Sequence, residues 1–284
     1  MDHLSYLDAI ILGVVEGLTE FLPVSSTGHL TIAEKLLGLR VDDPAVTAYT
    51  AIIQLGAIAA TILYFFRDIV RLLSAWGRGL VSAEARGHRD YRLAWSVIVG
   101  CIPIGIVGFL AKGLITGPLR SLWVVAIALI LWSVVMWVAE RRHDVLARVN
   151  AQRGEDQTTL KDGLVIGLVQ CLALIPGVSR SGATISAGLL RGLDRVAATR
   201  LSFFLAIPAL TAAGLYELKD INASVVGGGQ MAIGIIVAFL VAYASIAWLL
   251  RFVAHHAITT FVWYRVALGV VLVGVLAAGV MSAT

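Results

Sequence analysis

The sequence predicts an all-α integral membrane protein made of two inverted repeats, each a re-entrant helical hairpin plus three transmembrane helices, about ten helices in all. Three observations carry this. First, 59% of the 284 residues are hydrophobic and 14% are charged, against roughly 25% charged in ordinary soluble domains. The apolar residues gather into stretches near the ~20 residues that a helix needs to cross a bilayer. Second, Pro/Ser/Gly segments break two of these stretches. Third, a constant offset pairs Asp8 with Asp162, Gly13 with Gly167, Ser25 with Ser179, Gly28 with Gly182 and Gly38 with Gly192. Together they exclude a soluble enzyme, a disulfide scaffold and a disordered chain.

The first repeat begins with an apolar run over 5–22 that contains Glu16 and Glu20. Pro23-Val24-Ser25-Ser26-Thr27-Gly28 interrupts it and 29–38 resumes it. Neither piece is long enough to cross comfortably, so the pair reads as a hairpin that enters and leaves on one side. Spans follow at about 45–66, 92–111 and 120–139. The polar stretches between them, 67–91 and 140–160, read as solvated connections. The second repeat follows the same plan: 161–177, a break at Pro176-Gly177-Val178-Ser179-Arg180-Ser181-Gly182, a return over 183–190, then spans near 197–216, 229–250 and 260–281. The organisation is one polytopic domain over 1–284, with repeat one at 1–140 and repeat two at 161–284.

Three spans per repeat is an odd number, so the second repeat is inverted relative to the first. Short cytoplasmic loops collect Lys and Arg. Placing 67–92, 140–161, 191–200 and Arg251 on the cytoplasmic side gives that side fifteen basic residues. The opposite side receives five: Lys35, Arg40, Lys112, Arg120 and Lys219. The hairpins then enter from opposite sides, their tips meet near the midplane, and both termini lie outside. Cys101 and Cys171 sit in apolar segments without metal-ligand spacing, and no run of Lys/Arg forms a nucleic-acid patch.

Chemistry concentrates at the breaks. Ionisable groups at membrane depth cost several kcal/mol unless paired or hydrated, so Glu16, Glu20, His29 and Arg180 are site candidates by position alone. Glu16 and Glu20 are spaced i,i+4, which puts both carboxylates on one helix face, where they can share a proton or a cation. A helix starts after each break, and its first N–H groups lack backbone partners. Ser25, Ser26, Thr27 and Gly28, like Ser179, Arg180, Ser181 and Gly182, therefore combine free N–H groups, hydroxyls and a positive helix end into an anion site suited to phosphate. Thr184 lies one turn further on, and Arg180 supplies a planar donor fork. Carboxylates facing a phosphate imply either a base or a bridging Mg²⁺ or Ca²⁺. Bland readings stand beside these: a Glu pair also serves proton or cation relays, Ser/Thr clusters also pack helices, and an isolated His also caps them. Arg180 has few innocent explanations.

Ser26-Thr27-Gly28-His29 is similar to the Ser-Gly-His element of acid phosphatases that use a His nucleophile, but no His follows Arg180 in Ser181-Gly182-Ala183-Thr184-Ile185-Ser186, so that mechanism is not supported. Two longer motifs match another family. Glu16-Gly17-Leu18-Thr19-Glu20-Phe21-Leu22-Pro23-Val24-Ser25-Ser26-Thr27-Gly28-His29 resembles the Glu/Gln-x-x-x-Glu region of bacterial undecaprenyl-diphosphate phosphatases, the bacitracin-resistance family. Pro176-Gly177-Val178-Ser179-Arg180-Ser181-Gly182-Ala183-Thr184 resembles the same family's Pro-Gly-x-Ser-Arg-Ser-x-x-Thr signature.

The resemblance covers nearly the whole chain. It implies hydrolysis of C55 undecaprenyl diphosphate to the monophosphate carrier, a bacterial inner-membrane location with the site open to the outer face, and dependence on a divalent cation. It also implies roles. Glu16 and Glu20 become metal ligands or the general base, and Ser26 the favoured nucleophile, with His29 as base, acid or rival nucleophile. Water activated directly by the carboxylates is an equal route that the sequence does not decide against. Ser179, Arg180, Ser181 and Thr184 match its phosphate-binding signature, and Ser25 and Thr27 join them from the helix-start anion site. The partners it implies are a polyprenyl diphosphate and membrane lipid, with room for a homodimer. A transporter or flippase of a polyprenyl phosphate or another anion is the alternative, since inverted repeats with broken helices characterise secondary transporters. Gln170, at the position equivalent to Glu16, makes the halves chemically unequal.

Overall fold

The computed structural model describes residues 4–41, 44–111, 113, 119, 121–217 and 227–283. Lys112, Arg120 and Lys219, used above to count charge, lie outside them. Eleven α-helices fill the described residues: α1 Tyr6–Thr19, α2 Ser26–Leu36, α3 Pro44–Tyr64, α4 Phe66–Val81, α5 Arg89–Leu110, α6 Leu122–Arg148, α7 Leu160–Gln170, α8 Arg180–Leu190, α9 Arg195–Glu217, α10 Gly228–His255 and α11 Thr259–Ala277. Six are long and apolar enough to cross a membrane: α3, α5, α6, α9, α10 and α11. The two hairpins, α1–α2 and α7–α8, fall at the expected breaks.

Two connections differ from expectation. The stretch 67–91 contains α4, with Phe66, Val70, Leu73 and Leu80 exposed along one face and Leu72 and Gly79 buried on another. Its apolar residues recur every three or four positions, an amphipathic period interrupted by Arg67, Asp68, Arg71 and Arg78. Helix α6 likewise runs on through Arg141, Arg142 and Asp144 to Arg148, because the connection begins with good helix formers rather than a breaker.

The two halves interlock reciprocally. In the first, α1 packs on α10 and α3 packs on α10; in the second, α7 packs on α5 and α9 packs on α5; α6 and α11 pair across the middle. Small residues permit the closest approaches, as lipid-embedded helices require. A Cβ on Gly13 would stand 2.9 Å from the Gly234 carbonyl oxygen, and one on Gly167 would collide with the Gly100 carbonyl. Equivalent local devices frame both hairpins. Ser5 and Asp8 form a capping box at α1, and Thr159 and Asp162 form one at α7. Gly38 (φ 72°) ends α2 and Gly192 (φ 84°) ends α8 in the left-handed conformation that glycine tolerates.

The face bearing the Arg-rich connections is tied by ion pairs. Arg153 reaches Asp162 at 2.7 Å and Arg191 reaches the same carboxylate at 2.8 Å. Arg195 joins Glu140 and Asp144, while Arg71 and Arg200 bridge Asp68 and Glu155. Beneath the hairpin tips the core is aromatic: Phe21 meets Phe203 edge-on at 5.5 Å, and Phe65 packs on Phe203 and Phe204.

Candidate active site

Each hairpin turns through a serine in a conformation that L-residues avoid. Ser25 has φ 78° and Ser179 φ 76°, strained for non-glycine residues and held only where surrounding bonds demand it. Both serines cap the helix that follows. Ser25 Oγ accepts from the Gly28 N–H at 3.4 Å, and Ser179 Oγ accepts from the Gly182 N–H at 3.2 Å. The N–H groups of the first residues of α2 and α8 thus stay at open helix starts.

The tips are laced to each other. Gly177 N–H donates to Ser25 Oγ at 3.1 Å, and Ser181 Oγ donates to the Leu22 carbonyl at 2.9 Å. Because Ser181 spends its proton on Leu22, the 3.1 Å contact between Ser179 Oγ and Ser181 Oγ has Ser179 as donor. Arg265 on α11, fully buried, donates to Pro23 O at 3.2 Å, Gly177 O at 2.8 Å and Ser133 Oγ at 3.3 Å. Pro23 and Gly177 are equivalent positions in the two repeats, so one guanidinium holds both turns by the same carbonyl.

The candidate reactive groups converge at this junction. Ser26 Oγ donates to Glu20 Oε2 at 2.6 Å. The other carboxylate oxygen, Glu20 Oε1, accepts from Arg180 Nη2 at 3.3 Å. Arg180 Nη2 also reaches the Glu20 carbonyl, Nη1 donates to Ser202 O at 3.3 Å, and the guanidinium lies 6.0 Å over the Phe21 ring. Thr184 Oγ1 contacts Ser202 Oγ at 2.6 Å and the Arg180 carbonyl at 2.8 Å, steadying the arginine from behind. Glu16 is buried one turn before Glu20, and its Oε1 has no hydrogen-bond partner among the described residues. His29 Nδ1 lies 2.7 Å from the Ser25 carbonyl, and Nε2 lies 2.6 Å from the Tyr264 hydroxyl.

Glu16, Glu20, Ser26 and Arg180 are therefore gathered, with His29 beside them. Ser25, Ser179, Ser181 and Thr184 use their hydroxyls on the turns and on Arg180. Thr27 is exposed, and its carbonyl accepts from Thr31. The donor set fits a hard divalent cation: an orphaned carboxylate oxygen of Glu16 beside Glu20 and a hydroxyl, all oxygen. Sequence reading passed over Ser202, Tyr264 and Arg265. Arg265 carried a signal, because a lone arginine inside an apolar span meets the same cost that singled out Arg180.

The residues that build this junction belong to a chain that matches a known family along most of its length. The family model of bacitracin resistance protein BacA matches residues 9–271. The chain belongs to the BacA family. Relatives in that family match end to end. The undecaprenyl-diphosphatase 1 of Streptomyces avermitilis is 59% identical over 277 residues, covering 96% of this chain and 97% of its own. The undecaprenyl-diphosphatase 1 of Frankia alni is 58% identical over all of both chains. The undecaprenyl-diphosphatase of Mycobacterium sp. (strain KMS) is 48% identical over 285 residues, 99% of this chain and all of its own. In this BacA chain, the two motifs that resembled the family in sequence are the two hairpin turns that meet in the structure.

Proposed function

We propose that this chain removes the terminal phosphate of undecaprenyl (C55) diphosphate, yielding undecaprenyl phosphate and inorganic phosphate. One observation carries the reading: Ser26 Oγ is hydrogen-bonded to Glu20, whose second oxygen pairs with Arg180 from the opposite hairpin. A hydroxyl beside a base and a guanidinium at one point is what phosphoryl transfer asks of a protein, namely positioning and charge neutralisation. The relatives' names support the substrate and give the transport reading no support.

In the mechanism, Arg180 and the open N–H groups at the starts of α2 and α8 hold the diphosphate. Ser26 gives its proton to Glu20 as its oxygen attacks the terminal phosphorus. The bond from that phosphorus to the bridging oxygen breaks, and undecaprenyl phosphate leaves. Water then attacks the phosphoserine, Ser26 recovers its proton from Glu20, and the water proton departs to solvent. Glu16 and Glu20 would hold a divalent cation, Mg²⁺ or Ca²⁺, which when bound neutralises phosphate charge. The location that fits the family is the bacterial inner membrane, with the prenyl tail in lipid and the site open to the outer face. Lys/Arg asymmetry of the loops supports that orientation.

The test is phosphate release from C55 diphosphate by purified protein in detergent, with and without EDTA, beside Glu20→Ala and Arg180→Ala. Cation-dependent release that both substitutions abolish is the expected result. Folded wild-type protein that releases none in Mg²⁺ or Ca²⁺ overturns the reading.

A further inference from the structure

The last helix contributes a side chain that neither motif contains. A carbonyl oxygen can only accept, so His29 Nδ1, 2.7 Å from Ser25 O, must carry the imidazole proton. In the neutral ring Nε2 then keeps a lone pair, and the Tyr264 hydroxyl, 2.6 Å away, is placed to donate into it. The two rings also lie nearly parallel, 11° apart with centroids at 5.6 Å. Both nitrogens of His29 are thus committed, one to the backbone of the strained residue that precedes Ser26 and one to Tyr264. Neither is directed at the Ser26 hydroxyl, whose proton goes to Glu20. Arg265, the next residue on α11, is already fixed to both hairpin turns, so the helix that presents Tyr264 cannot drift from the site.

We propose that Tyr264 is a positioning residue of the active site: its hydroxyl fixes the tautomer and direction of the His29 ring, which holds the Ser25 carbonyl and thereby aims Ser26 at phosphorus with Glu20 as its only base. The proposal rests on the phosphatase reading for its catalytic half. The ring geometry stands apart from it.

The experiment is a double-substitution cycle on the full-length protein in detergent. Tyr264→Phe keeps the ring and removes only the hydroxyl. Losing one orienting hydrogen bond of about 1.4 kcal/mol corresponds to about a tenfold lower kcat, with KM within about twofold because no phosphate contact is lost. In a His29→Ala background the same substitution should have no further effect, since coupled residues are not additive. Equal falls in both backgrounds, or a raised KM with kcat intact, overturn the proposal and make Tyr264 a substrate contact. A second readout needs no activity: ¹⁵N NMR of histidine-labelled protein, with the His29 signals assigned by their loss in His29→Ala. Wild type should show Nδ1 protonated and Nε2 accepting, and Tyr264→Phe should shift the Nε2 resonance. A wild-type ring protonated at Nε2 overturns the positioning role whatever the enzyme does. Absent phosphate release beside the expected spectrum overturns the phosphatase reading and the catalytic half of this one, leaving only the ring lock.

Discussion

The two hairpin turns share one backbone and almost no chemistry. Ser25 and Ser179 adopt nearly the same strained φ and cap the same position of the following helix. Yet the first hairpin carries Glu16, Glu20, Ser26 and His29 where the second carries Gln170, Leu174, Arg180 and Ala183. In the proposed reaction one turn supplies the base and the hydroxyl, and the other supplies the guanidinium. Neither is a site alone. A repeated backbone thus carries unlike side chains at the four equivalent positions that the proposed reaction uses.

The largest effect should come from Glu20→Gln, which keeps the shape of the side chain and removes the base. A general base is worth about 10²–10⁴ in rate, so kcat should fall about a thousandfold in a phosphate-release assay, with the melting temperature nearly unchanged. A fall of less than about tenfold would break the division of labour between the turns.

Next in size is a stability effect that separates the hairpins at their entrances. Asp8 and Asp162 make equivalent capping boxes, but Asp162 is fully buried and also receives Arg153 and Arg191. Burial pushes the Asp162 carboxyl up, and the hydrogen bonds from Arg153, Thr159 and Arg191 outweigh it, holding the group well below the usual carboxylate range. Asp162→Asn should cost about 2–3 kcal/mol in chemical unfolding, the low side of a broken buried pair because both arginines are partly exposed. The sign of the pH dependence follows from the lowered value. The stabilisation is fully present above the unfolded aspartate pKa of about 3.9 and is lost only as pH falls from there through the folded value. The gap between wild type and variant should stay level from about pH 5 to pH 8 and shrink below about pH 4.

Smaller again is the difference between the two capping serines. Ser25→Ala loses the cap and the bond from Gly177, whereas Ser179→Ala loses the cap and a contact within its own turn. Caps are worth about 1 kcal/mol, so Ser25→Ala should destabilise by about 2 kcal/mol and Ser179→Ala by about 1. Only the first unlaces the hairpins, so only the first should lower kcat beyond about threefold. The smallest effect belongs to Gln170→Leu. Its side-chain polar atoms are buried and have no hydrogen-bond partner among the described residues, so removing them should leave stability within about 0.5 kcal/mol and turnover within about twofold. A large loss would show that the second hairpin holds chemistry of its own.

Much of this was legible in the sequence, for a physical reason: lipid makes polarity expensive, so Glu16, Glu20 and Arg180 stand out against an apolar ground. The six spans and both turns follow from the same contrast. What stayed hidden depended on contacts between distant segments. Tyr264 becomes relevant only because α11 places it against His29, far away in the chain, and no local pattern reports that. Helix α4 was missed because Arg67, Asp68, Arg71 and Arg78 look like loop residues until their period is counted. Thr27 reads like its neighbours Ser25 and Ser26, but the helical turn of α2 carries it outward.

Arg265 sets a limit on how far the duplication can remain a duplication. One guanidinium occupies the point where the two halves present the same carbonyl, and across from it α6 offers only the small hydroxyl of Ser133. Two copies of the second half, assembled as a pair, would bring two buried arginines to one place. Two copies of the first would leave both carbonyls without a donor. The halves are therefore complementary rather than interchangeable, like a key cut from the same blank as its lock.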